Sequence, residues 1–402
     1  MPSPPKYLLI CPAYPPPFVG GSKVWTYNMV DNCPEGFDIL TSALKPGYAE
    51  VCSPRHRIIR SRYLWDSNTH NPTLFELVLS YLYIAVWLVK RLLTVRYEVV
   101  VAGAFVFANG LIFMLCRLFR VPCIGLGNAE EFTLELKGKG WKSAIKRPWM
   151  IHTHRLADGF VVVCRFCQDV LVEMGLDPRR IEIVPSSINP QKLRPFRTKR
   201  EPGCRVLSVG RLVERKGFHC LIEAVHRLRD ELPAITATIV GNGPYKPLLL
   251  EQVARLGLAG RVAIKDAVED EELSRLYQES DLFVLAHMML DNGDTEGCPT
   301  VFSEASGCGL PVIGGTGGGA DTVIVDEVTG YIVNSRNIGE LADRMKAILT
   351  NPALAEAMGK AGVEKIRTEH NPVTTSLAFH RFLQRMGASV NASAVTPRTE
   401  LS

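Results

Sequence analysis

The sequence has no large excess of charge of either sign. Its 402 residues carry 46 Lys and Arg against 41 Asp and Glu, a formal net charge of +5. This balance argues against a protein that holds nucleic acid through an overall basic field, so we expect no nucleic-acid partner and any basic function must be local. Hydrophobic residues make up 47% of the chain, which is ordinary for a globular protein with sizeable cores.

The sequence also lacks a disulfide framework, because its 11 cysteines show no regular spacing. In a chain of this length we expect reduced, buried thiols and a cytosolic protein. Cys164 and Cys167 have CxxC spacing but no second cysteine pair or histidine partner, so a structural role is preferred over a metal or redox site.

No segment has the pattern of a secretory signal peptide, since the first apolar run, Tyr7–Cys11, is too short. The uncharged run Leu77–Val89 has about 13 residues, fewer than the roughly 20 that a spanning helix needs. Lys90 and Arg91 follow it. We expect a helix buried in the core there, with a helix lying on a membrane surface as the alternative.

Short apolar runs rich in β-branched residues alternate with helical patterns along the whole chain. Such runs are typical of parallel sheets covered on both faces, and two series of them predict two doubly wound α/β domains. The strands predicted in the first series are Tyr7–Cys11, Asp38–Leu40, Arg57–Ile59, Glu98–Ala102, Pro122–Leu126, Gly159–Val163 and Glu182–Val184. Those of the second are Arg205–Val209, Ala237–Val240, Arg261–Ile264, Leu282–Leu285 and Pro311–Ile313.

The first candidate site is the segment Ser208–Gly217. A predicted strand ends at Gly210, a cationic loop follows, and a helix is expected to begin near Gly217. Ligands of doubly wound folds bind beyond the carboxyl ends of the strands. Arg211 and Lys216 are therefore candidates for clamping a diphosphate. The alternative is that both charges belong to a solvated loop.

The second candidate site is the segment Glu296–Glu304, which has a carboxylate at each end. Pro299 fits the first turn of a helix, so we expect Glu296 in a loop and Glu304 inside the helix. Amide groups near Cys298–Val301 and the positive end of the helix dipole favour an anion. Both carboxylates are candidates for accepting hydrogen bonds from sugar or ribose hydroxyls.

Two glycine-rich loops follow predicted strands. Gly314–Asp321 comes directly after the strand at Pro311–Ile313, and glycines at a strand end let the backbone approach a ligand closely. A flexible loop without function is the alternative. The second loop contains Gly20 and Gly21 after the first strand. It does not have the GxGxxG pattern, and no acidic residue follows at the required place, which disfavours a nicotinamide cofactor.

Together these segments resemble the retaining glycosyltransferases of family 4, which have the GT-B fold. The resemblance runs from the Gly20-Gly21 loop to about Ile366. Its most specific parts are GRLVERKG from Gly210, Ile239–Pro244, the E-x7-E of Glu296 and Glu304 with the following EASGCGLPVI, and Val328–Tyr331. The loop His287–Thr295 and the ending Gly319–Asp321 are most similar to the phosphatidylinositol mannosyltransferase branch.

The resemblance implies a role for each motif residue. Arg211 and Lys216 bind the donor diphosphate, and Glu304 holds the ribose hydroxyls, while Glu296 faces the transferred sugar. The remaining donor contacts come from Gly20, Gly21, Gly297, Cys298, Pro299, Thr300 and Val301. The implied chemistry is a front-face displacement that retains the anomeric configuration. Positive charge stabilises the departing phosphate, which itself takes the acceptor proton.

No cofactor and no metal are expected, since the nucleotide sugar is a substrate and the DxD metal motif is absent. Asp291 and Asp294, in the run LDNGD, are interpreted as solvated loop residues.

One position departs from the family pattern. The family usually has a histidine where Asn128 stands, and an amide does not titrate but can hydrogen-bond a sugar hydroxyl. Asn128 stays a catalytic candidate without a proton-shuttling role, and Glu130 or Glu131 is an alternative for orienting the acceptor. His152 and His154 are interpreted as residues on the surface of a helix.

The resemblance therefore predicts an α/β protein of the GT-B fold, with two Rossmann-like doubly wound domains facing a cleft. We expect the acceptor-binding domain at 1–193, the nucleotide-sugar-binding domain at 194–370, a helix at 371–387 that returns to the first domain, and a disordered tail at 388–402. The break falls in Asn189–Gly203, which is rich in Pro, Lys and Arg.

The predicted activity is retaining, metal-independent transfer of a hexose from a UDP- or GDP-sugar to a hydroxyl acceptor. A lipid-linked molecule and a cell-envelope glycan are the candidate acceptors. Two alternatives stay open: a synthase or phosphorylase of the GT-B fold, and a scaffold that binds the nucleotide sugar without turnover. The substitution at Asn128 motivates the second of these.

A basic segment predicts a location at the cytoplasmic face of the inner membrane. From Lys137 to Arg155 the chain carries six Lys and Arg and no Asp or Glu, with Trp141 and Trp149 between them. Basic residues near an anionic surface contribute about 1 kcal/mol each, and Trp favours the interface. A solvated helix face is the alternative interpretation of this segment.

Overall fold

The structure is a computed structural model. It describes residues 6–16, 21–44, 46–50, 54–65, 73–103, 106–128, 132–133, 136, 141–188 and 203–395. The contacts divide the chain into two units. The first unit holds the chain to Val163, Cys167–Val184 and the chain from Pro372, and the second holds Cys164–Phe166 and Pro185–Asn371.

The described part of the first unit contains a seven-stranded parallel sheet in the order β3-β2-β1-β4-β5-β6-β7. Its five inner strands are wholly buried and rich in Val, Ile and Leu, as a sheet covered on both faces requires, whereas the two edge strands are partly exposed. The strands are β1 (Tyr7–Ile10), β2 (Phe37–Ser42), β3 (Arg57–Ser61), β4 (Val99–Ala102), β5 (Cys123–Gly127), β6 (Gly159–Val162) and β7 (Ile181–Ile183).

Helices cover this first sheet. They are α1 (Gly21–Asp31), α2 (Leu74–Thr94), α3 (Val106–Leu118), α4 (Trp141–His154), α5 (Arg165–Glu173) and, from the end of the chain, α12 (Pro372–Val395). α2 packs on α3 and α3 packs on α4, whereas α12 packs on α1. The hydroxyl of Ser376 on α12 donates to the carbonyl oxygen of Met29 on α1 at 2.6 Å.

The second unit contains a six-stranded parallel sheet in the order β10-β9-β8-β11-β12-β13, which is the 3-2-1-4-5-6 order of the Rossmann fold. Its strands are β8 (Arg205–Val209), β9 (Thr236–Val240), β10 (Val262–Lys265), β11 (Leu282–Leu285), β12 (Val312–Gly315) and β13 (Gly330–Val333). Its helices are α6 (Phe218–Leu228), α7 (Lys246–Arg255), α8 (Asp270–Glu279), α9 (Thr300–Gly307), α10 (Ile338–Leu349) and α11 (Pro352–Glu369).

Every strand predicted from the sequence is present, with its ends shifted by at most a few residues. The prediction missed β13, whose four residues include only two β-branched side chains and begin with glycine. The pairing of β13 with β12 explains that glycine, since a Cβ at Gly330 would lie 1.8 Å from the carbonyl oxygen of Val312.

Two expectations concern the ends of the units. The predicted break at Asn189–Gly203 lies largely outside the described residues. The tail predicted to be disordered from 388 is wrong as far as Val395, because α12 continues through this stretch. The segment is rich in alanine and free of proline, and the first helix breaker after it is Pro397.

The expectation of a buried core helix at Leu77–Val89 is also wrong. The helix is longer than the apolar run, Leu74–Thr94, because Thr73 and Glu76 form a capping box at its start. Only three of its side chains, those of Ser80, Ile84 and Leu88, are buried. Among the described residues it is the one helix long and apolar enough to cross a membrane.

Candidate active site

The loop after β8 turns two cationic side chains into the protein. Glu214–Lys216 forms a 3-10 turn that ends at Gly217, whose φ is +68°. A Cβ at Gly217 would lie 1.8 Å from the carbonyl oxygen of Ala286, so this position requires glycine. The turn leaves the side chains of Arg215 and Lys216 buried.

Two carboxylates of the loop between β11 and α9 meet these cations. Arg215 donates from Nε to Oε1 of Glu296 at 2.6 Å and from Nη1 to both carboxylate oxygens of Asp294 at 3.0 Å. Lys216 Nζ lies 3.0 Å from Oε2 of Glu296. The cluster of Arg215, Lys216, Asp294 and Glu296, here called the charge cluster, therefore balances two positive and two negative charges.

The charge cluster keeps Glu296 ionised. Burial alone would raise the pKa of its carboxyl group, but the charges of Lys216 and Arg215 outweigh this effect and lower the pKa to about 2. The interpretation of Asp294 as a solvated residue is wrong, since its carboxylate holds the buried guanidinium of Arg215. Asp291 is fully exposed, as expected.

The two cations predicted to bind a diphosphate occupy different environments. Lys216 is buried in the charge cluster. Arg211 is exposed, and its guanidinium has no ion-pair partner within the part of the chain that the structure describes. Arg211 thus offers a free positive charge at the end of β8, next to the cluster in sequence.

The helix predicted after Pro299 is present and short. α9 begins at Thr300 with Pro299 as its N-cap, so Glu296 lies in the loop before it and Glu304 within it. The first amides of α9, those of Thr300 and Val301 at the end of the segment Gly297–Val301, come before the intrahelical hydrogen bonds and present donors and a positive dipole end to an anion. The amide of Phe302 already donates to the carbonyl oxygen of Pro299 at 3.1 Å. The half-buried thiol of Cys298 lies in this segment, and burial raises its pKa.

The carboxylate of Glu304 is held from the side of α8. The hydroxyl of the buried Tyr277 donates to Oε2 of Glu304 at 2.8 Å. Burial, followed by the charge of Glu304, raises the pKa of the Tyr277 hydroxyl, so it stays protonated and keeps donating. The prediction did not include Tyr277, and its position in a helix pattern gave no signal for it.

The glycine-rich loop after β12 packs on the backbone of the loop that carries Glu296. Gly319 N donates to the carbonyl oxygen of Gly297 at 2.6 Å, and the hydroxyl of Thr295 donates to the carbonyl oxygen of Gly317. A Cβ at Gly318 would lie 2.5 Å from the carbonyl oxygen of Glu296. The glycines therefore permit close approach to the protein's own backbone.

A buried histidine lies under this loop and was missed. His287 follows β11 by two residues and has no exposed surface. Burial lowers the pKa of its imidazole to about 4, so the ring is neutral. Its Nδ1 accepts from the amide of Gly315 at 3.3 Å, whereas its Nε2 has no hydrogen-bond partner within the described part of the chain. Its place directly beyond a strand's carboxyl end is a signal that could have found it.

Comparison with known proteins identifies the family. Residues 20–192 match the family model for Glycosyltransferase Family 4, and residues 190–365 match that for Glycosyl transferases group 1. The chain belongs to the family 4 glycosyltransferases. This confirms the family that the motifs predicted.

Among its relatives are two "GDP-mannose-dependent alpha-(1-6)-phosphatidylinositol monomannoside mannosyltransferases". The one from Mycolicibacterium smegmatis is 36% identical over 158 residues, 39% of this chain and 41% of that protein. The one from Mycobacterium tuberculosis is 31% identical over 214 residues, 51% of this chain and 56% of that protein. The chain thus spans about half the length of the curated relatives it matches.

Solved structures share its fold. Sucrose-phosphate synthase from Thermosynechococcus elongatus has a TM-score of 0.76 at 18% identity, covering 96% of this chain and 100% of that one. Anabaena HepE in complex with UDP has a TM-score of 0.72 at 17% identity, covering 94% of this chain and 100% of that one. The fold is GT-B, as predicted.

In the first unit of this family 4 member, two predicted site residues are described. Gly21 is exposed and begins α1, and Asn128 is half-buried and directly follows β5. Gly20, Glu130 and Glu131 lie outside the described residues.

The two histidines of α4 differ from expectation. His152 is exposed, but the interpretation of His154 as a surface residue is wrong. His154 is buried with its ring stacked on that of Phe160, the ring centroids being 5.5 Å apart. Burial lowers its pKa to about 4, so it is a neutral part of the core.

The basic segment of this family 4 member is only partly described. Lys137 and Lys139 lie outside the described residues, and Lys142 lies on α4. The guanidinium of Arg155 donates to the carbonyl oxygen of Met174 at 2.9 and 3.2 Å, so it caps the end of α5. That bond gives Arg155 a structural role.

The thiols of Cys164 and Cys167 are buried and are not joined in a disulfide. Within the described part of the chain, no three His, Cys, Asp or Glu side chains are grouped as metal ligands.

Proposed function

We propose that this protein transfers a sugar from a nucleoside-diphosphate donor to a hydroxyl acceptor with retention of the anomeric configuration. The observation that carries the proposal is the charge cluster, in which an ionised Glu296, in the loop just ahead of α9, pairs with the buried Lys216. A carboxylate, an ammonium group and free helix amides are the groups that recognise sugar hydroxyls and phosphate.

The donor binds the second unit in this proposal. Arg211 and Lys216 hold the diphosphate, together with the amides that begin α9. Glu304 accepts hydrogen bonds from the ribose hydroxyls, and its contact with Tyr277 fixes the orientation of its carboxylate. Mannosyltransferases named as GDP-mannose-dependent are among the relatives, so GDP-mannose is the first donor to test, and UDP-sugars are the second class.

Catalysis follows from the charges near the breaking bond. As the bond from the anomeric carbon to the diphosphate breaks, negative charge grows on the leaving oxygen, and Lys216, Arg211 and the α9 amides stabilise it. The departing phosphate accepts the proton of the acceptor hydroxyl while that oxygen bonds to the anomeric carbon on the same face. Because fixed cations supply this stabilisation, we propose that the reaction needs no divalent metal.

The carboxylate of Glu296 has a different role in this scheme. With a pKa of about 2 it stays ionised at neutral pH, so it accepts hydrogen bonds from sugar hydroxyls and does not act as the general acid. Asn128 supplies an amide to a sugar hydroxyl in the place where the family usually has histidine.

The acceptor is proposed to be a lipid-linked molecule at the cytoplasmic face of the membrane. The support is chemical: the basic residues of α4 and the segment before it attract anionic lipid headgroups. Relatives are named as phosphatidylinositol monomannoside mannosyltransferases, and a phosphatidylinositol monomannoside is a lipid-linked sugar.

A screen of UDP- and GDP-sugars by thermal shift, followed by mass spectrometry of products with membrane lipid extract, tests the proposal. Glu296→Ala is expected to lower turnover with little change in donor affinity, and Glu304→Ala to lower donor affinity. Donor binding without transfer or hydrolysis, under every acceptor condition, would instead establish the non-catalytic scaffold that Asn128 motivates.

A further inference from the structure

Helix α2 presents an apolar face to solvent along its whole length. Seven large apolar side chains on it are between 36% and 78% exposed: Leu74, Phe75, Val78, Leu79, Leu82, Val86 and Leu93. At about 100° per residue they cover an arc of about 140° directly opposite the buried Ile84. At a rise of about 1.5 Å per residue, the stripe from Leu74 to Leu93 is about 28 Å long.

The opposite face ties α2 to the first unit. Ile84 and Leu88 are fully buried, and Arg91 donates from Nε to the hydroxyl of Tyr97 at 2.9 Å. Arg91 also pairs with the buried carboxylate of Asp38, which lies on β2. A helix held in this way is one layer of the fold. It can lie along a lipid surface but cannot leave the unit to span the bilayer.

The neighbouring helices α3 and α4 also expose apolar side chains. α2 packs on α3, which exposes Met114 and Leu118 next to the exposed Arg117. α3 packs in turn on α4, where Ile145 is exposed.

Charge in this part of the chain is positive on balance. Between residues 74 and 128 there are five Lys and Arg, of which Lys90, Arg96, Arg117 and Arg120 are exposed. The two acidic residues of this stretch are both engaged: Glu76 caps α2, and Glu98 lies 4.0 Å from Lys6. An apolar stripe bordered by cations fits the acyl chains and the negative headgroups of an anionic membrane.

We propose that α2 lies in the plane of an anionic membrane, with the stripe from Leu74 to Leu93 inserted among the acyl chains. The proposal rests on the membrane-bound acceptor of the proposed function and assigns the contact to α2 as well as to the basic segment. A second copy of the chain is a poorer occupant, because self-association through this face would bring like charges together.

The test is co-sedimentation with vesicles of phosphatidylcholine containing phosphatidylglycerol, compared with vesicles of phosphatidylcholine alone. The variant Leu82→Glu/Val86→Glu changes two exposed positions and leaves the buried face of α2 intact. The matched control is Leu248→Glu/Leu250→Glu, which alters two exposed leucines of α7 in the second unit. Calorimetry with GDP and UDP is run on all three proteins without vesicles.

We expect the wild type and the α7 control to pellet with anionic vesicles, and the α2 variant to bind at least tenfold more weakly. Nucleotide binding is expected to be equal in all three proteins, which shows that the variants are folded. Undiminished pelleting of the α2 variant, or a wild type that stays in the supernatant, overturns the proposal.

Analytical ultracentrifugation without lipid tests whether a second copy of the chain covers the apolar stripe of α2. A wild-type dimer that the α2 variant converts to a monomer would assign the stripe to a second copy and overturn the membrane proposal. Failure of α2 to bind lipid leaves sugar transfer to soluble acceptors measurable, so it is distinguishable from failure of the proposed function.

Discussion

Arg215 joins two carboxylates of one loop, Asp294 and Glu296, and so fixes that loop to the turn after β8. With Lys216 it makes the charge cluster neutral. Buried charges are tolerated when each has a partner, and removing one partner leaves the others uncompensated. The arrangement of Glu296 and Lys216 therefore depends on Arg215. This residue precedes Lys216 in the chain but is not itself predicted to bind the diphosphate.

Replacing Arg215 with Met tests this dependence. We expect the variant to lose about 3–5 kcal/mol of unfolding free energy, because Asp294 and Glu296 would face each other without their shared cation. The matched control is Arg211→Met, an exposed position, which should change stability by less than about 0.5 kcal/mol. Urea unfolding measures both; equal stability of the two variants would contradict the role of Arg215.

Replacing either Arg211 or Lys216 with Ala should weaken nucleotide binding. Each change removes a charge-assisted contact worth roughly 1.5–3 kcal/mol, which corresponds to a tenfold or greater loss of affinity. Calorimetry with UDP and GDP provides the measurement. Unchanged binding in both single variants would refute the assignment of the diphosphate to this loop.

The low pKa of Glu296 makes its contribution to stability dependent on pH. Its pKa falls from the ordinary 4.5 to about 2 in the folded protein, which corresponds to roughly 3 kcal/mol. A depressed pKa stabilises the fold above pH 4.5, and this stabilisation is lost as the pH falls toward 2. Glu296→Gln should therefore be less stable than the wild type at pH 7, with a smaller difference at pH 3. A difference that does not change with pH, measured by urea unfolding, would argue against an ionised Glu296.

Among single residues, the sequence predicted those whose position depends only on nearby residues in the chain. Glu296 and Glu304 lie on opposite sides of a helix start that Pro299 signals, and their placement followed from it. Arg215 and Asp294 were not found, because every charge in GRLVERKG and LDNGD has the same appearance in a sequence. Only the packing of two distant loops decides which of these charges is buried.

The loop between β11 and α9 and the glycine-rich loop after β12 behave as one element. Their backbones are joined by the contact of Gly319 with Gly297 and that of Thr295 with Gly317. The position of Glu296 thus depends on loops that are close in space because β11 and β12 are neighbouring strands.

Gly318→Ala tests this coupling between loops. The new Cβ would lie 2.5 Å from the backbone oxygen of Glu296, so the loop carrying Glu296 must move. We expect turnover to fall at least tenfold, with a smaller change in thermal stability. The control, Gly339→Ala in α10, meets its nearest atom at 3.4 Å and should leave turnover unchanged. Wild-type turnover of Gly318→Ala would show that the loops are independent.

The elements themselves were predictable to different degrees. Buried parallel strands such as β8 and β11 are continuous apolar runs, so local composition was sufficient to find them. The helix α2 has the same apolar composition on its exposed face as on its buried face. Composition therefore predicted a core helix, and only the packing of Ile84 and Leu88 shows which side is inside.

In the whole molecule, each of the two units carries a different set of functional groups. The second unit contains the charge cluster and the start of α9, and the first unit contains Asn128 and the apolar stripe of α2. The chain begins in the first unit, builds the second, and returns through α12 to pack on α1. Donor binding and lipid contact can therefore be altered separately, by variants in the second unit and in α2.

The configuration of the product distinguishes retaining, metal-independent transfer from the other reactions open to a glycosyltransferase. The protein is incubated in EDTA with an α-linked nucleotide sugar, GDP-mannose first, and membrane lipid extract, and the anomeric configuration of the glycolipid is determined by NMR. We expect an α-linked product at an undiminished rate. A β-linked product, or activity that EDTA abolishes and a divalent ion restores, would contradict it.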